Sequence, residues 1–473
     1  MVPSARVMGE GPNEACGLFG VWAPGEDVSR LIYFGLFALQ HRGQESAGIA
    51  VSDRQNILVY RDLGLVSQVF HERTLATLQG ELGIGHNRYS TTGSTTWENA
   101  QPSFKTDGQR GLALGHNGNL VNTPELSERV GGGSREASTD SDLVATLLAR
   151  EMAGSDLETA AMRVLPTLRG AFSFVMMDEG TVYGARDPHG LRPLAIGRLP
   201  RDGGWVLASE TAALDIVGAE YVREVEPGEL VSIDERGIRS MRYAGSPRSA
   251  LCLFEFVYLA RADSRLYGRT VHQARHEAGR RLAAEAPAEA DLVIPIPDTG
   301  HSAAAGFAQE VGIPYGEGLI KNRYVHRTFI EPTPGLRQRG VRLKLNPLAE
   351  AIRGKRLAVV DDSIVRGTTT RQIVQMLRDA GATEVHMRIT SPPIRWPCFY
   401  GIDMSTREEL VASGMGVEEI RGFIGADSLA YLSLPQLVEA TGAPADTFCR
   451  ACFDGQYPVP VPAGASKHLL ERE

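Results

Sequence analysis

The residues of this 473-residue chain that are able to do chemistry begin with five cysteines. Cys16 stands alone near the amino terminus, Cys449 and Cys452 form a C-x-x-C pair, and Cys252 and Cys398 lie far apart. A thiolate is both a nucleophile and a metal ligand, so the five divide between those two kinds of chemistry. A sparse and odd count argues against a disulfide scaffold and predicts a cytoplasmic protein with reduced thiols.

A second chemical signal lies at residues 359–370, which read VVDDSIVRGTTT. An apolar strand ends in two acids, and a loop of Gly and Thr then opens a helix. The N–H groups and hydroxyls of such a loop bind phosphate at the positive end of the helix. Adjacent carboxylates at the end of a buried strand are costly unless a sugar hydroxyl or a divalent cation uses them. The alternative is an acidic turn followed by a Thr-rich helix cap.

The apolar residues follow different patterns in the two halves of the chain, and the elements that these patterns predict must position the reactive groups. From about 16 to 240, short apolar runs separated by Gly, Asn and Asp predict mainly antiparallel strands, with helices near 28–40 and 141–153. This pattern is typical of an α+β domain.

From about 260, the apolar runs at 292–296 and 357–360 are continuous, as in strands buried on both faces. Each run is followed by a turn and then by helical spacing, which predicts a parallel α/β domain. Its ligands are expected at the carboxyl ends of the strands. The segment 241–250 is the predicted junction between the two halves.

The composition of the chain limits the classes of partner that it is expected to bind. The 49 Lys and Arg against 57 Asp and Glu give a net charge of -8, and no basic face or DNA-reading element is evident. No apolar window is long enough to span a membrane, and the first 15 residues lack the apolar core of a secretory signal. We therefore expect neither nucleic acid nor membrane as a partner.

The 359–370 string closely resembles the phosphoribosyl pyrophosphate motif of type I phosphoribosyltransferases. The resemblance implies that Asp361 and Asp362 contact the ribose hydroxyls and help to hold Mg²⁺. It also implies that the following loop holds the 5-phosphate. The loop residues concerned are Ser363, Gly367, Thr368 and Thr369.

Two further stretches resemble the pyrophosphate side of the same family. The turn PDTG at 297–300 resembles the pyrophosphate loop, and the resemblance implies that Thr299 helps to ligate magnesium. The stretch after Lys321 resembles the loop that closes over the leaving group, with Arg323 and Arg327 as further cations. Taken alone, a basic stretch is also typical of a solvated face. His326 stands where many relatives carry Gly, and it is assigned no role.

Cys16-Gly, together with HRGQESAG (41–48), HNRYSTTG (86–93) and HNGN (116–119), resembles the class II glutamine amidotransferases. The fold of that family is the N-terminal nucleophile hydrolase sandwich, in which two sheets lie between helical layers (αββα). The resemblance implies that Cys16 attacks the glutamine carboxamide with its own free α-amine as base. Residues 1–15 are then a propeptide. Without the other strings, Cys16 would be a small buried apolar residue.

The same resemblance assigns roles to four other residues of the first half. The Asn117 side chain and the Gly118 N–H form the oxyanion hole. Arg88 binds the α-carboxylate of glutamine, for which a planar guanidinium is suited. Asp140 accepts from the α-ammonium group. Each is a weak signal alone, because Asn-Gly is a common turn and Asp is a common helix cap.

The remaining cysteines match an iron–sulfur branch of one family, and the match implies a 4Fe–4S cluster held by Cys252, Cys398, Cys449 and Cys452. The cluster is expected to staple distant segments together. A four-thiolate zinc site and unligated core cysteines are the alternatives.

Both halves together resemble the amidophosphoribosyltransferase family. The resemblance implies synthesis of 5-phosphoribosylamine from glutamine and phosphoribosyl pyrophosphate, with ammonia channelled between two sites. It also implies a homotetramer and feedback inhibition by purine nucleotides. The predicted divisions are 1–15 propeptide, 16–240 amidotransferase, 250–445 phosphoribosyltransferase and 446–473 cluster-binding tail. A different class II amidotransferase and a non-catalytic purine-sensing regulator are the competing interpretations.

Overall fold

The fold is taken from a computed structural model, which describes residues 15–89, 96–131, 139–322, 343–402 and 406–462. In its first half the strands are β1 (Gly17–Trp22), β2 (Ser46–Ser52), β3 (Ile57–Leu63), β4 (Leu82–Arg88), β5 (Ser103–Thr106), β6 (Gly111–Leu120), β7 (Gly170–Met177), β8 (Val182–Arg186), β9 (Ala195–Arg198), β10 (Trp205–Ala208), β11 (Glu220–Glu224), β12 (Glu229–Asp234) and β13 (Gly237–Arg242). The helices of this half are α1 (Val28–Ala38), α2 (Val66–Val69), α3 (Glu72–Thr77), α4 (Thr123–Arg129), α5 (Asp140–Met152), α6 (Leu157–Val164) and α7 (Thr211–Ile216).

The strands of the first half form two antiparallel sheets. One has the order β11-β9-β10-β1-β4-β2-β3 and the other β13-β12-β8-β7-β6-β5. Leu18 and Ile84 from the first sheet share an apolar core with Val175 and Ile233 from the second. The two sheets therefore pack face to face.

Helices cover the outer face of each sheet. In α1, Asp27 caps the first turn by accepting from the Arg30 N–H at 3.2 Å, and Ile32 and Leu36 are buried one turn apart against the first sheet. On the other side α5 buries Leu143 and Leu147 against the second sheet. The result is the four-layer αββα sandwich predicted from the motifs, and both predicted helices are present.

The second half is an α/β domain. Its strands are β14 (Leu251–Cys252), β15 (Arg265–Leu266), β16 (Arg269–Thr270), β17 (Leu292–Pro295), β18 (Leu319–Lys321), β19 (Leu345–Pro347), β20 (Arg356–Asp361), β21 (Glu384–Ile389), β22 (Ser428–Tyr431) and β23 (Phe448–Cys449). Its α-helices are α8 (Val271–Glu285), α9 (Gly300–Val311), α10 (Ala349–Ile352), α11 (Thr368–Asp379), α12 (Val411–Gly414), α13 (Val417–Ile424), α14 (Leu434–Thr441) and α15 (Ala451–Asp454).

The centre of this half is a parallel sheet of order β17-β20-β21-β22. β17 and β20 are the two continuous apolar runs of the sequence, and their side chains are buried on both faces. The loops that follow them lie at the same edge of the sheet, as predicted. β13 stays paired with β12 as far as Arg242, which lies opposite Glu229, and the connection between the halves follows. No helix in the described ranges is long and apolar enough to cross a membrane.

A buried network of charges joins the two halves. The Arg42 guanidinium contacts Glu210 in the first half and donates from Nη2 to Glu255 Oε2 of the second at 2.5 Å. Arg192 Nη1 lies 3.3 Å from the other oxygen of Glu255. All four side chains are almost completely buried. Burial of these charges is tolerated only because each has partners of opposite sign.

Replacing Glu255 by Gln should destabilise the protein strongly. The substitution leaves Arg42 and Arg192 without their shared negative charge in a buried environment. We expect the free energy of unfolding to fall by about 3 kcal/mol, as when one member of a buried ion pair is lost. A shift in the urea midpoint measures the change.

The matched control is Glu235→Gln, which removes an exposed carboxylate that pairs with Arg54 at 3.0 Å. Exposed pairs contribute little, so the midpoint should hardly move. Equal shifts for the two variants would contradict the role given to the buried network.

Candidate functional site

Cys16 lies directly before β1, and its thiol is buried. Sγ donates to the backbone carbonyl of Tyr89, which follows β4, at 3.5 Å. Burial raises the pKa of the Cys16 thiol to about 11, against the opposing effects of the Tyr89 hydrogen bond and of Arg88. The thiol is therefore protonated at neutral pH. A base must remove its proton before the sulfur becomes a nucleophile.

Asn117 and Gly118 lie in β6 and face the neighbouring strand β7. Both polar atoms of the Asn117 amide are buried and have no hydrogen-bond partner among the described residues. Gly118 has φ +149°, and a Cβ there would come within 2.0 Å of the Ala171 carbonyl oxygen. Only glycine fits this position. A buried amide without a partner costs free energy, which a bound polar ligand would recover.

Asp140 is the first residue of α5 and points back toward β6. Its Oδ1 accepts from the Ser141 N–H at 2.8 Å and its Oδ2 from the Leu120 N–H at 3.2 Å. His116 Nδ1 lies 3.6 Å from Oδ2. Burial alone raises the pKa of Asp140, but His116 and the two N–H donors outweigh it and the pKa is lowered. Asp140 is thus a buried anion at neutral pH.

A set of hydrogen bonds holds the region around Asp140 and strand β6 together. Gln101 Oε1 accepts from the His116 backbone N–H at 2.8 Å, and Gln101 Nε2 donates to Ser141 Oγ at 3.1 Å. His116 Nδ1 lies 3.1 Å from the same oxygen. Sequence reasoning assigned no role to these three residues. His116 belongs to the HNGN string and Ser141 directly follows Asp140, but nothing in the sequence links either to Gln101.

Arg88 ends β4 and is buried beside the nucleophile. Its electrostatic effect lowers the pKa of the Cys16 thiol, and that of Asp140 raises it, so both charges lie close to the sulfur. His86 Nε2 meets the His116 carbonyl oxygen at 2.9 Å, which ties β4 to β6. The structure therefore brings the five residues predicted for the first site into one region. These residues are Cys16, Arg88, Asn117, Gly118 and Asp140.

The acid pair of the second half lies at the carboxyl end of β20. Thr299, at the end of the turn after β17, donates through its hydroxyl to Asp362. The Asp362 N–H donates to Asp361 Oδ1 at 2.9 Å. Burial and the adjacent Asp362 carboxylate raise the pKa of Asp361 well above its usual range. A cation placed here would return Asp361 to its charged form.

The loop after the acids leads into α11. Gly367 caps the helix, and Thr368 and Thr369 form its first turn. The Thr368 hydroxyl is buried and has no hydrogen-bond partner in the described part of the chain. The Ser363 hydroxyl donates to Asp362 Oδ1 at 2.5 Å, so it supports the acid pair directly. A polar group without a partner at a helix N-terminus suits an anionic ligand.

Lys321 is the last residue of β18 and reaches the same edge of the sheet. Its ammonium group pairs with Asp298 in the turn after β17. Arg323, His326 and Arg327 lie outside the described residues. Of the cationic residues predicted for the pyrophosphate side, Lys321 is the one that lies within the described residues.

The other four cysteines meet around a cavity that Cys16 does not line. Cys252 lies opposite Cys449 in the register of the parallel strands β14 and β23, and Cys452 lies in the short helix α15. These three and Cys398 line one small buried cavity, together with Arg192. Burial raises the pKa of the Cys252 thiol to about 12. No group of three or more His, Cys, Asp or Glu side chains in the described ranges is arranged to hold a metal ion.

Comparisons with known proteins cover almost the whole chain. Residues 86–215 match the family described as a glutamine amidotransferase domain. The chain is 60% identical to an amidophosphoribosyltransferase of Mycobacterium tuberculosis, over 97% of this chain and 90% of that protein. It is 52% identical to one of Synechococcus elongatus, over 98% and 95%. A solved glutamine phosphoribosylpyrophosphate amidotransferase of B. subtilis, complexed with ADP and GMP, matches with a TM-score of 0.89 and 46% identity, over 95% of this chain and 99% of that one.

The raised pKa of Cys16 makes its alkylation strongly dependent on pH while residues 1–15 are attached. At pH 8 a thiol of pKa about 11 has only about one thousandth of its molecules as thiolate. The rate with iodoacetamide should therefore rise about tenfold for each pH unit from 8 to 10. Peptide mass spectrometry after timed quenching measures the modification at Cys16.

The control is the same chain unfolded in urea, where the rate should level off near the ordinary thiol pKa of about 8.5. Folded and unfolded chains with the same pH profile would show that burial does not hold the proton on Cys16.

Proposed function

This chain belongs to the amidophosphoribosyltransferase family, and on that premise we propose which of its residues carry out each half of the reaction. The enzyme takes nitrogen from glutamine and transfers it to phosphoribosyl pyrophosphate, the first step of purine biosynthesis. The observation that most supports the residue assignment is the buried Asn117 amide, which has no hydrogen-bond partner among the residues described and lies in the same region as the Cys16 thiol. Each role below belongs to this proposal.

Cys16 is the nucleophile of the glutaminase half. Its thiol holds its proton, and a peptide nitrogen has almost no basicity, so removal of residues 1–15 supplies the base as a free α-amine. The amine takes the thiol proton, and the sulfur bonds to the carboxamide carbon. The carbon–nitrogen bond then breaks, and the proton leaves with the nitrogen as ammonia. Water hydrolyses the remaining thioester and releases glutamate.

The groups around Cys16 bind the rest of glutamine. Asn117 Nδ2 and the Gly118 N–H donate to the oxygen that becomes negative during attack on the carbon. Arg88 binds the α-carboxylate, and the anionic Asp140 accepts from the α-ammonium group. The two charged ends of the amino acid thus meet opposite charges, which fixes the carboxamide relative to sulfur.

The second half binds phosphoribosyl pyrophosphate at the end of its parallel sheet. Asp361 and Asp362 accept from the ribose hydroxyls, and the first turn of α11, with the Thr368 hydroxyl, holds the 5-phosphate. Lys321 and Arg323 bind the pyrophosphate. Ammonia attacks the anomeric carbon, the bond to pyrophosphate breaks, and 5-phosphoribosylamine forms.

Magnesium fits the acid edge of this site. Thr299, Asp361 and Asp362 offer the oxygen ligands that a hard cation prefers, and a bound cation would offset the burial and the Asp362 charge that raise the pKa of Asp361. When bound, Mg²⁺ neutralises charge on the leaving pyrophosphate. The adjacent Ser363 hydroxyl keeps the Asp362 carboxylate oriented for that task.

The cysteine cavity fits a 4Fe–4S cluster. Four thiols from distant parts of the sequence line one cavity beside the Arg192 guanidinium, whose charge opposes that of thiolates. The ligands of a cluster bind separate irons, so their sulfurs need not converge on one point. A bound cluster would join β14, the 398–402 loop and the tail. Such a cluster, with residues 1–15 as a propeptide, places the chain in the iron–sulfur branch and in a reducing compartment, the cytoplasm.

Three further features are proposed on the basis of family membership. The B. subtilis relative is described as a complex with ADP and GMP, which supports feedback binding of purine nucleotides by this chain. A homotetramer and a passage for ammonia between the halves complete the proposal.

Replacing Cys16 by Ala tests the division of labour between the halves. The variant lacks the nucleophile, so glutamine-dependent synthesis should fall at least 10³-fold. Synthesis from ammonium chloride should persist because it uses only the second half. Intact-mass measurement of the wild-type chain should give a species that begins at Cys16.

The matched control is Asp362→Asn, which should lower both the glutamine- and the ammonia-dependent rates. Full glutamine-dependent activity in the Cys16→Ala variant, or in a wild-type chain that retains residues 1–15, would overturn the proposed mechanism.

Replacing Cys398 by Ser tests the cluster. The wild-type protein, purified without oxygen, should contain about four irons per chain and absorb visible light. The variant should lose most of both, because a hydroxyl is a poor ligand for a cluster. Cys16→Ser should keep them, since Cys16 lies outside the cavity. One zinc per chain in place of iron would refute the cluster.

A further inference from the structure

We propose that the segment 399–401 positions β6, the strand that carries the oxyanion donors of the glutaminase site and is called the oxyanion strand below. Asn119 is the positioning residue that connects the segment to this strand. The inference rests on the proposed function of Asn117 and Gly118. Asn119 Nδ2 donates to the backbone carbonyl of Phe399 at 2.9 Å. Asn119 and Phe399 are 280 positions apart, so this bond joins the two halves of the chain. It does so two residues after Asn117.

Gly401 packs directly against the backbone of Gly118. A Cβ on Gly401 would lie 2.7 Å from the Gly118 carbonyl carbon and 2.8 Å from its Cα and oxygen. A Cβ on Gly118 would in turn lie 2.0 Å from the Ala171 carbonyl oxygen of β7. Gly118 is therefore closely packed against both β7 and the 399–401 segment.

The segment itself is held firmly by both halves of the chain. Arg192 donates to the Tyr400 carbonyl from Nε at 3.1 Å and from Nη2 at 2.9 Å. The Tyr400 hydroxyl donates to the Val459 carbonyl at 2.5 Å and accepts from its N–H at 3.1 Å. Arg192 is in turn balanced by Glu255. A loop with so many buried anchors can act as a rigid support for the neighbouring strand.

The support matters because oxyanion stabilisation depends on direction. Donors must point at the position that the negative oxygen will occupy, and small displacements are costly in rate. Substrate binding depends instead on Arg88 and Asp140, which belong to β4 and α5 and not to the strand that carries the oxyanion donors. Loosening the Asn119 tie should therefore lower kcat of glutamine hydrolysis more than it changes KM.

The test uses Asn119→Asp, which keeps the shape but loses the donor, and Asn119→Ala. In the full enzyme with saturating phosphoribosyl pyrophosphate, glutamate release should fall about tenfold in kcat, because the oxyanion donors are displaced but not removed. KM for glutamine should stay within about twofold. Synthesis from ammonium chloride should match wild type. Measuring glutamate excludes a leak of ammonia as the cause.

The matched control is Asn122→Asp. Asn122 is a buried amide three residues further on that donates to the Thr167 carbonyl at 3.1 Å, within the first half. It should lower the denaturation temperature about as much as Asn119→Asp does, but leave the ratio of glutamine- to ammonia-dependent rates unchanged. The inference is overturned if both variants change that ratio equally, or if the Asn119 variants keep wild-type kcat for glutamate release. Failure of the proposed function itself appears separately, as glutamine-dependent activity in Cys16→Ala.

Discussion

A sulfur enclosed by protein keeps its proton, and the chemistry of the first half depends on that constraint. Burial raises the pKa of Cys16 to about 11 although Arg88 lies nearby. The hydrogen bond recorded for Sγ goes to a carbonyl oxygen, which cannot accept the proton outright. A base must therefore come from elsewhere, and the backbone nitrogen of Cys16 itself is adjacent once it is freed. The same burial would keep the thiol inert for as long as residues 1–15 remain attached.

In the second half, the electrostatic constraint is the repulsion between two adjacent carboxylates. Two carboxylates lie at the end of its strand β20, and burial together with the adjacent Asp362 raises the pKa of Asp361 well above its usual range. Cationic or hydroxylic partners stabilise such a pair, and a magnesium-bound sugar phosphate offers both. The two sites share one property, which is that each presents a buried polar group with no hydrogen-bond partner in the part of the chain that the structure describes. These groups are the Asn117 amide and the Thr368 hydroxyl.

The sequence was informative where chemistry is local and uninformative where contacts are distant. Runs such as 292–296 and 357–360 predicted the parallel strands, and the strings around Cys16, Arg88 and Asn117 predicted which side chains meet. The link from Gln101 to Ser141 was not predictable, because no periodicity relates residues on different strands and helices. Glu255 was equally hidden, since an acid is normally a surface residue. The bond between Asn119 and Phe399 joins segments on opposite sides of the predicted boundary. The domain limits themselves and the tail remain predictions.

Glu255 has a practical consequence for any attempt to dissect the chain. A gene fragment ending at the connection after Arg242 would keep Glu210 beside Arg42 but lose Glu255, the acid that Arg42 and Arg192 share. Such a fragment would have to hydrate these two interior guanidinium groups in place of Glu255, and would tend to open or aggregate. An excised amidotransferase suitable for expression should therefore either extend past Leu259, to include the turn that carries the acid, or replace both arginines with apolar residues of similar size.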